Sequence, residues 1–332
     1  MGRLRIKKIP RIREGVGMSR YYSIEEINRY SDVPAELIPL LELLEKVNPC
    51  SQEYESTEKN FIISYLLKLN LFNFKNIIPL RATIRVIGLP VSMCLQGYFG
   101  DDDSAVRVVE KRKGLKIILN GDSPFKRGGR TLSTFVFKND FSTFDEYLNS
   151  LRSPYRRRIK KALKHRERLI IRSIKPSEFT EEHYRLYLSV MERTSNPLET
   201  LPIDFFREYD AQLYEFIRID TNTTAGFIQL KEVNGILYFL FGGFRKEDVD
   251  TCDIYYNMLL KIIETGIEKK SPEIEFGQTA EESKLKIGCR EKYKYMYVHH
   301  SNPLLNFIIQ RLVPVFSYRT YPVRHHVFKN EE

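Results

Sequence analysis

The sequence predicts an α/β fold built on a mixed sheet, and three observations carry the prediction. Two apolar runs, 225–233 and 236–244, flank Asn234-Gly235. Asn-Gly in that setting marks a tight hairpin, because a type I′ turn needs positive φ at both central residues. Residues 254–267 place apolar side chains at 255, 258, 259, 262, 263 and 267, one face of a helix. A short apolar run at 274–276 follows, so a helix separates a meander from a later strand.

The other elements read in chain order. Residues 33–48 carry leucines at helical spacing, and the polar stretch 48–60 reads as a loop. The Ile- and Val-rich segment 77–100 reads as two strands separated by Gly88-Leu89-Pro90. Asp101-Asp102-Asp103 precedes a basic helix, then strands at 115–119 and 131–137. Thr143 with Glu146 three residues on is a capping box opening a short helix. Ser153 as N-cap with Pro154 behind it starts a second helix. A strand at 213–219 precedes the hairpin. Residues 292–299 alternate with Tyr293, Tyr295 and Tyr297 on one side, and Asn302-Pro303 starts a last helix.

At 332 residues the chain has the length of about two domains. Its 53 Lys and Arg against 43 Asp and Glu give a net charge of +10, which favours an anionic partner such as RNA, a phospholipid surface or a phosphorylated substrate. Cys50, Cys94, Cys252 and Cys289 form no C-x-x-C pair, so reduced thiols in a cytoplasmic protein are expected, with Cys252 and Cys289 either buried small hydrophobes or nucleophiles. The basic N-terminus has no apolar run behind it and does not read as a signal peptide. P-loop, H-E-x-x-H and G-x-S-x-G patterns do not occur, which lowers the NTPase, zinc-peptidase and esterase readings. Adjacent histidines point to opposite sides of a strand, so His299-His300 and His325-His326 make no chelating pair, and no metal is expected.

The stretch EFGQTAEESKLKIGC, 275–289, is the most structured of the motifs. The strand stops at Gly277. Thr279 with Glu282 reads as a second capping box over a helix at 280–287, and Gly288 sits where a left-handed C′ residue belongs. Such a helix start offers backbone N–H groups to negative charge beyond the strand end, and Gly277 permits close approach. A well-capped connecting helix fits the same letters.

Residues 276–289, FGQTAEESKLKIGC, resemble the C-terminal signature of GNAT-fold proteins of the Fem-like kind. Tyr255-Tyr256, Leu259-Leu260 and Gly266-Ile267 resemble the helix that precedes it. Residues 144–164, FDEYLNSLRSPYRRRIKKALK, resemble that family's basic segment, and 321–329, YPVRHHVFK, its ending. The resemblance covers roughly residues 140–330. It implies two tandem GNAT-like lobes: a degenerate one over 1–140 and an acyltransferase lobe over 141–332 with a basic helix at 153–168. The implied activity is acyl or aminoacyl transfer to a primary amine, without metal or tightly bound cofactor. The donor would be aminoacyl-tRNA or an acyl-CoA or acyl-carrier thioester. An anionic partner, whether tRNA, a lipid-linked molecule or another phosphate-bearing substrate, would suit it, as would cytoplasmic or peripheral inner-membrane placement. One departure stands out. CoA-using relatives carry glycines between the hairpin and the helix to cradle pyrophosphate. Residues 244–255 here contain none, and Asp248, Asp250 and Asp253 would repel it.

The resemblance places Lys284 beside the transfer site, as a cation for an oxyanion or phosphate; a solvated lysine is the alternative. Gln278 and Thr279 either donate hydrogen bonds to substrate beside Gly277 or simply cap. Tyr255 and Tyr256 are either core aromatics or a general acid. Arg157 and Arg158 match the family's basic positions and, with Lys161, would contact phosphate, unless 152–168 is only a solvated amphipathic helix. A non-catalytic GNAT-fold protein holding RNA or a membrane surface is the rival reading, with the apolar helix near 303–313 lying on lipid.

Overall fold

The computed structural model describes residues 18–27, 33–47, 52–57, 60–74, 78–91, 93–193, 200–320 and 323–330. The basic N-terminal stretch, Cys50, and Tyr321 and Pro322 of the C-terminal motif lie outside the described residues.

Two sheets repeat one plan. In the first, Met18–Tyr21, Gln52–Thr57, Asn60–Phe74 and Ile78–Ile87 are successive antiparallel neighbours. The helix Asp102–Glu110 follows, and Leu115–Gly121 lies parallel to Ile78–Ile87. In the second, Leu169–Ile174, Gln212–Arg218, Thr224–Val233 and Ile236–Phe244 are antiparallel neighbours. The helix Ile254–Glu268 follows, and Glu273–Glu275 lies parallel to Ile236–Phe244. A parallel return needs a crossover, and the helix in each sheet supplies it. The next strand is exchanged. Tyr295–His300 comes back from the end of the chain to pair with Leu115–Gly121, while Thr134–Lys138 pairs with Glu273–Glu275. Each half of the chain thus completes the sheet of the other.

Several local signals form as the letters indicate. Asn234 and Gly235 take φ of 51° and 75° in the hairpin. The Thr143 side chain caps by accepting from the Glu146 N–H, while the Glu146 carboxylate accepts from the N–H of Ser142, one residue before the N-cap, rather than from Thr143. Asn302 caps the helix Pro303–Phe316 by accepting from the N–H groups of Leu304 and Leu305.

Others differ, for physical reasons. The polar stretch 48–60 contains the strand Gln52–Thr57, whose buried polar groups are paired: the Tyr54 hydroxyl with Glu45 and Gln52, and Glu55 with Arg112. The second strand expected in 77–100 shrinks to Tyr98–Gly100. Before it, Gly97 lies so close to the Gly88 backbone that a Cβ would not fit. Ser153 is not the N-cap of Ser153–Arg166: Arg152 holds that place, and Ser153 is already helical. Residues 292–299 are split, because Arg290–Lys292 pairs in the second sheet and Tyr295–His300 in the first.

One large apolar core joins the halves, packing Leu40, Leu41 and Leu44 of the helix Ile38–Val47 with Phe205 and Phe206 of the helix Ile203–Glu208. A second core lies between the second sheet and the helices Phe144–Ser150, Ser153–Arg166 and Ile254–Glu268. Burying an aromatic side chain of this kind contributes roughly 1.5–3 kcal/mol over leaving it in water.

Candidate active site

The strand Glu273–Glu275 delivers the chain to the junction of the two sheets. The ladder continues past the strand, with Phe276 N–H on Phe135 O at 2.8 Å and Phe135 N–H on Gly277 O at 3.2 Å. The chain then turns through positive φ at Gly277 (74°), Thr279 (64°) and Ala280 (51°). Two consecutive non-glycine residues in the left-handed region cost about 1–2 kcal/mol each, so the surroundings must hold them there.

Lys284 does this holding. It lies in the short helix Glu281–Leu285 and is 2% exposed. Its ammonium donates to Gly277 O at 3.0 Å and Gln278 O at 2.7 Å, and lies 5.7 Å from the centre of the Phe135 ring. Burial pushes its pKa down to about 8, with nearby carboxylates and thiols pulling it partly back. The Gln278 side chain pins the turn from the other side, donating to Asn120 Oδ1 at 3.2 Å and Leu132 O at 2.7 Å. Asn120 belongs to the first sheet, so both lobes shape the turn.

The capping box expected at Thr279 and Glu282 does not form. The N-cap is Ala280, with no side-chain hydrogen bond, and the helix is only five residues long. The positive φ values carry the Thr279 side chain away from the helix start. Too few peptide dipoles then align for a helix-terminus effect. What remains for an anion is the turn itself. The N–H groups of Gln278, Thr279 and Ala280 have no acceptor among the described residues, and Thr279 and Ala280 are exposed. Successive N–H groups in such a turn form a concave donor site.

Beneath the turn sits a carboxylate that sequence reasoning missed. Glu275 is buried. It accepts from the Gly277 N–H at 2.8 Å and from the Thr134 hydroxyl. Burial raises its pKa, while those donors and the ammonium groups of Lys294 and Lys284 oppose the rise. Cys94 from the first lobe is buried nearby, its thiol pushed up to about 11 by burial and by Glu275. The signal was an acidic residue in an apolar strand beside glycine.

Tyr255 and Tyr256 open the helix Ile254–Glu268. Tyr255 is half-buried, packs against Phe244 with ring centres 5.5 Å apart and planes tilted by 40°, and is held well above the usual phenol range by burial, with Cys289, Tyr256 and Glu281 adding to it. Its hydroxyl has no hydrogen-bond partner among the described residues. Tyr256 is covered by the Arg158 guanidinium at 3.9 Å from the ring centre. Arg158 also pairs with Asp253 at 2.5 Å, and His165 reaches the same carboxylate at 2.8 Å. Arg158 is thus engaged inside the protein, whereas Arg157 and Lys161 are exposed with Lys160 and Lys164 on one face of the helix Ser153–Arg166.

The same contacts fill the place where a pyrophosphate cradle would lie. Asp248 is buried and paired with Arg218 at 2.9 Å, and Asp253 is held by Arg158 and His165. Among the described residues, no three His, Cys, Asp or Glu side chains group as metal ligands, and no helix is long and apolar enough to cross a membrane. Two surface cavities, of about 340 and 610 Å³, lie away from the turn, one beside Lys231 and Lys269 and one beside Arg185 and Arg207. The first is lined largely by the strands Gln212–Arg218 and Thr224–Val233 and the second by the start of the helix Glu181–Glu192, and neither includes the left-handed turn or the buried Glu275 and Lys284.

No protein-family model matches the chain, and no curated protein is similar to it in sequence. Solved structures are similar in fold. FemX superposes with a TM-score of 0.51 at 13% identity, covering 80% of this chain and 92% of its own. A domain assigned to a lysylphosphatidylglycerol synthetase of Agrobacterium fabrum gives 0.54 at 11%, covering 90% and 99%. L-PGS from Bacillus licheniformis gives 0.50 at 12%, covering 90% and 99%. With its two sheets of matching plan, the chain has a GNAT-like fold of the Fem type.

Proposed function

We propose that this protein is an N-acyltransferase that moves an acyl or aminoacyl group to a primary amine at the turn from Gly277 to Lys284. The observation that carries the reading is the exposed turn with three backbone N–H groups lacking acceptors, held in a strained shape by a buried lysine. The domain assigned to a lysylphosphatidylglycerol synthetase, whose fold it shares, supports acyl transfer in the broad sense by analogy.

The chemistry has three demands. An amine must lose a proton as it attacks, the carbonyl oxygen's growing charge must be held, and the leaving oxygen or sulfur must receive a proton. In this reading the N–H groups of Gln278, Thr279 and Ala280 take the oxyanion. Lys284 keeps their geometry through the carbonyls of Gly277 and Gln278, so it is a positioning residue. Tyr255, protonated at neutral pH and with its hydroxyl unpartnered, supplies the proton to the leaving group. The exposed stripe of Arg157, Lys160, Lys161 and Lys164 steers an anionic donor or acceptor. The acids filling the cradle region favour a donor that does not dock a pyrophosphate there, such as aminoacyl-tRNA or an acyl carrier.

The test is turnover, followed by mass spectrometry of amine acceptors incubated separately with aminoacyl-tRNA, acyl-CoA and acyl-carrier donors. Tyr255→Phe, which removes only a hydroxyl, is expected to lower kcat about 100-fold or more with little change in KM. Binding of an anionic polymer without acylation from any donor would establish the rival, a binding protein on the same fold.

A further inference from the structure

The helix Pro303–Phe316 is mounted inside out. Its polar side chains face the protein: Asn306 accepts from the His300 N–H at 3.0 Å, the Gln310 amide donates to Val298 O, and the Ser317 hydroxyl just past its end donates to Val313 O at 3.1 Å. Val313 is its buried apolar residue. The outer face is apolar, with Leu304 68%, Phe307 57% and Phe316 69% exposed, and Ile308, Leu312 and Val315 between them. Single exposed apolar side chains are ordinary on a protein surface, but a continuous helical face of them marks a contact surface.

The charges around it say what the contact is. The helix carries no acidic residue, and Arg311 lies among the exposed apolar side chains. At the N-terminal end, Ser301 is hydrogen-bonded to Gly114, which follows the exposed Lys111 and Lys113. At the C-terminal end, Gly129 lies against Val313 and Ser317 and follows the exposed Lys126 and Arg127. Nearby acids are engaged, Glu110 by the Tyr297 hydroxyl and Asp122 by Lys294. An apolar stripe with cations at both ends and in its middle complements an anionic lipid surface. It opposes a second copy of itself, since two-fold pairing would bring the cations of one stripe against those of the other.

We propose that the helix Pro303–Phe316 docks this protein on an anionic bilayer, with the apolar face in the headgroup–acyl boundary and Lys111, Lys113, Lys126, Arg127 and Arg311 on lipid phosphates. The docked helix is continuous with the candidate active site. Just past its end, the Tyr318 hydroxyl donates to Glu281 at 3.3 Å, so the turn stands close to the bound surface. Docking goes beyond the transfer reading and is measured without turnover, so either can fail alone.

The experiment is flotation of the full chain with vesicles of phosphatidylglycerol mixed with phosphatidylcholine, and with phosphatidylcholine alone. The expected result is flotation with the mixed vesicles that weakens with salt, and little with phosphatidylcholine. Phe307→Ser with Phe316→Ser, both exposed and so without effect on the folded core, lowers partitioning by about tenfold or more. Lys111→Gln with Lys126→Gln lowers it and flattens the salt dependence. Circular dichroism checks that each variant is folded. Equal flotation of the phenylalanine variant and the parent overturns the proposal, as does absence of flotation. Concentration-dependent dimerisation abolished by the same phenylalanine changes, with no vesicle binding, overturns it in favour of a second copy.

Discussion

Lys284 ties stability, shape and chemistry together in one side chain. Folding lowers its pKa from 10.5 to about 8 because the ammonium is taken out of water. Between those values the unfolded chain binds more protons than the folded one, so this site's contribution to stability is least below pH 8 and grows as pH rises toward 10.5. Lys284→Met removes that pH dependence. Urea unfolding of parent and variant across the window is expected to show the parent gaining relative to the variant, by on the order of 3 kcal/mol. Parallel pH profiles would contradict the buried, charged placement. Ala280 gives a second residue-scale prediction. Its left-handed backbone suits glycine, so Ala280→Gly is expected to raise stability by roughly 0.5–1 kcal/mol, read from the urea midpoint. A loss of stability would mean that the turn is not strained as described. Neither property was legible in the letters around Thr279. The Thr-x-x-Glu spacing reads as a cap, but backbone sign at Gly277 and Ala280 is set by Lys284 and Gln278 reaching across the turn.

At the scale of elements, the helix Ser153–Arg166 has two faces with different uses. Ile159 and Ala162 are buried, and Arg158 and Arg166 pair with Asp253 and Glu264 on the side facing the helix Ile254–Glu268. Arg157, Lys160, Lys161 and Lys164 form the solvent stripe. If the stripe contacts phosphates, Arg157→Gln with Lys161→Gln weakens polyanion binding across sequences and lowers the slope of log K against log salt by about 2. An unchanged slope would return the stripe to the solvent. Elements defined by local patterning were readable: the Asn234-Gly235 hairpin, the Thr143 cap and the helix Ile254–Glu268 each follow from neighbours within a few residues. Gln52–Thr57 was not. Its buried residues are Gln52, Tyr54 and Glu55, stabilised by partners at Glu45 and Arg112 that no local window contains.

For the whole molecule, the informative feature is the exchange of strands between sheets. Thr134–Lys138 and Tyr295–His300 each complete the sheet built by the other half. Composition and periodicity identified both as strand-like. The sheet each would join depends on contacts between residues more than 130 positions apart, as between Glu273 and Lys138. The exchange is also what builds the site. Thr134, Glu275 and Lys284 meet Cys94 and Asn120 of the first lobe around one turn, and neither lobe alone supplies that set. Hydrogen exchange at the amides of Gln278, Thr279 and Ala280, with and without the donor found to turn over, tests this most directly. Donor binding is expected to slow exchange there by about tenfold or more, as it would for amides that take up a new acceptor. Unchanged exchange at these three amides, with protection instead at the cavity beside Arg185 and Arg207, would place the reaction elsewhere and contradict the account.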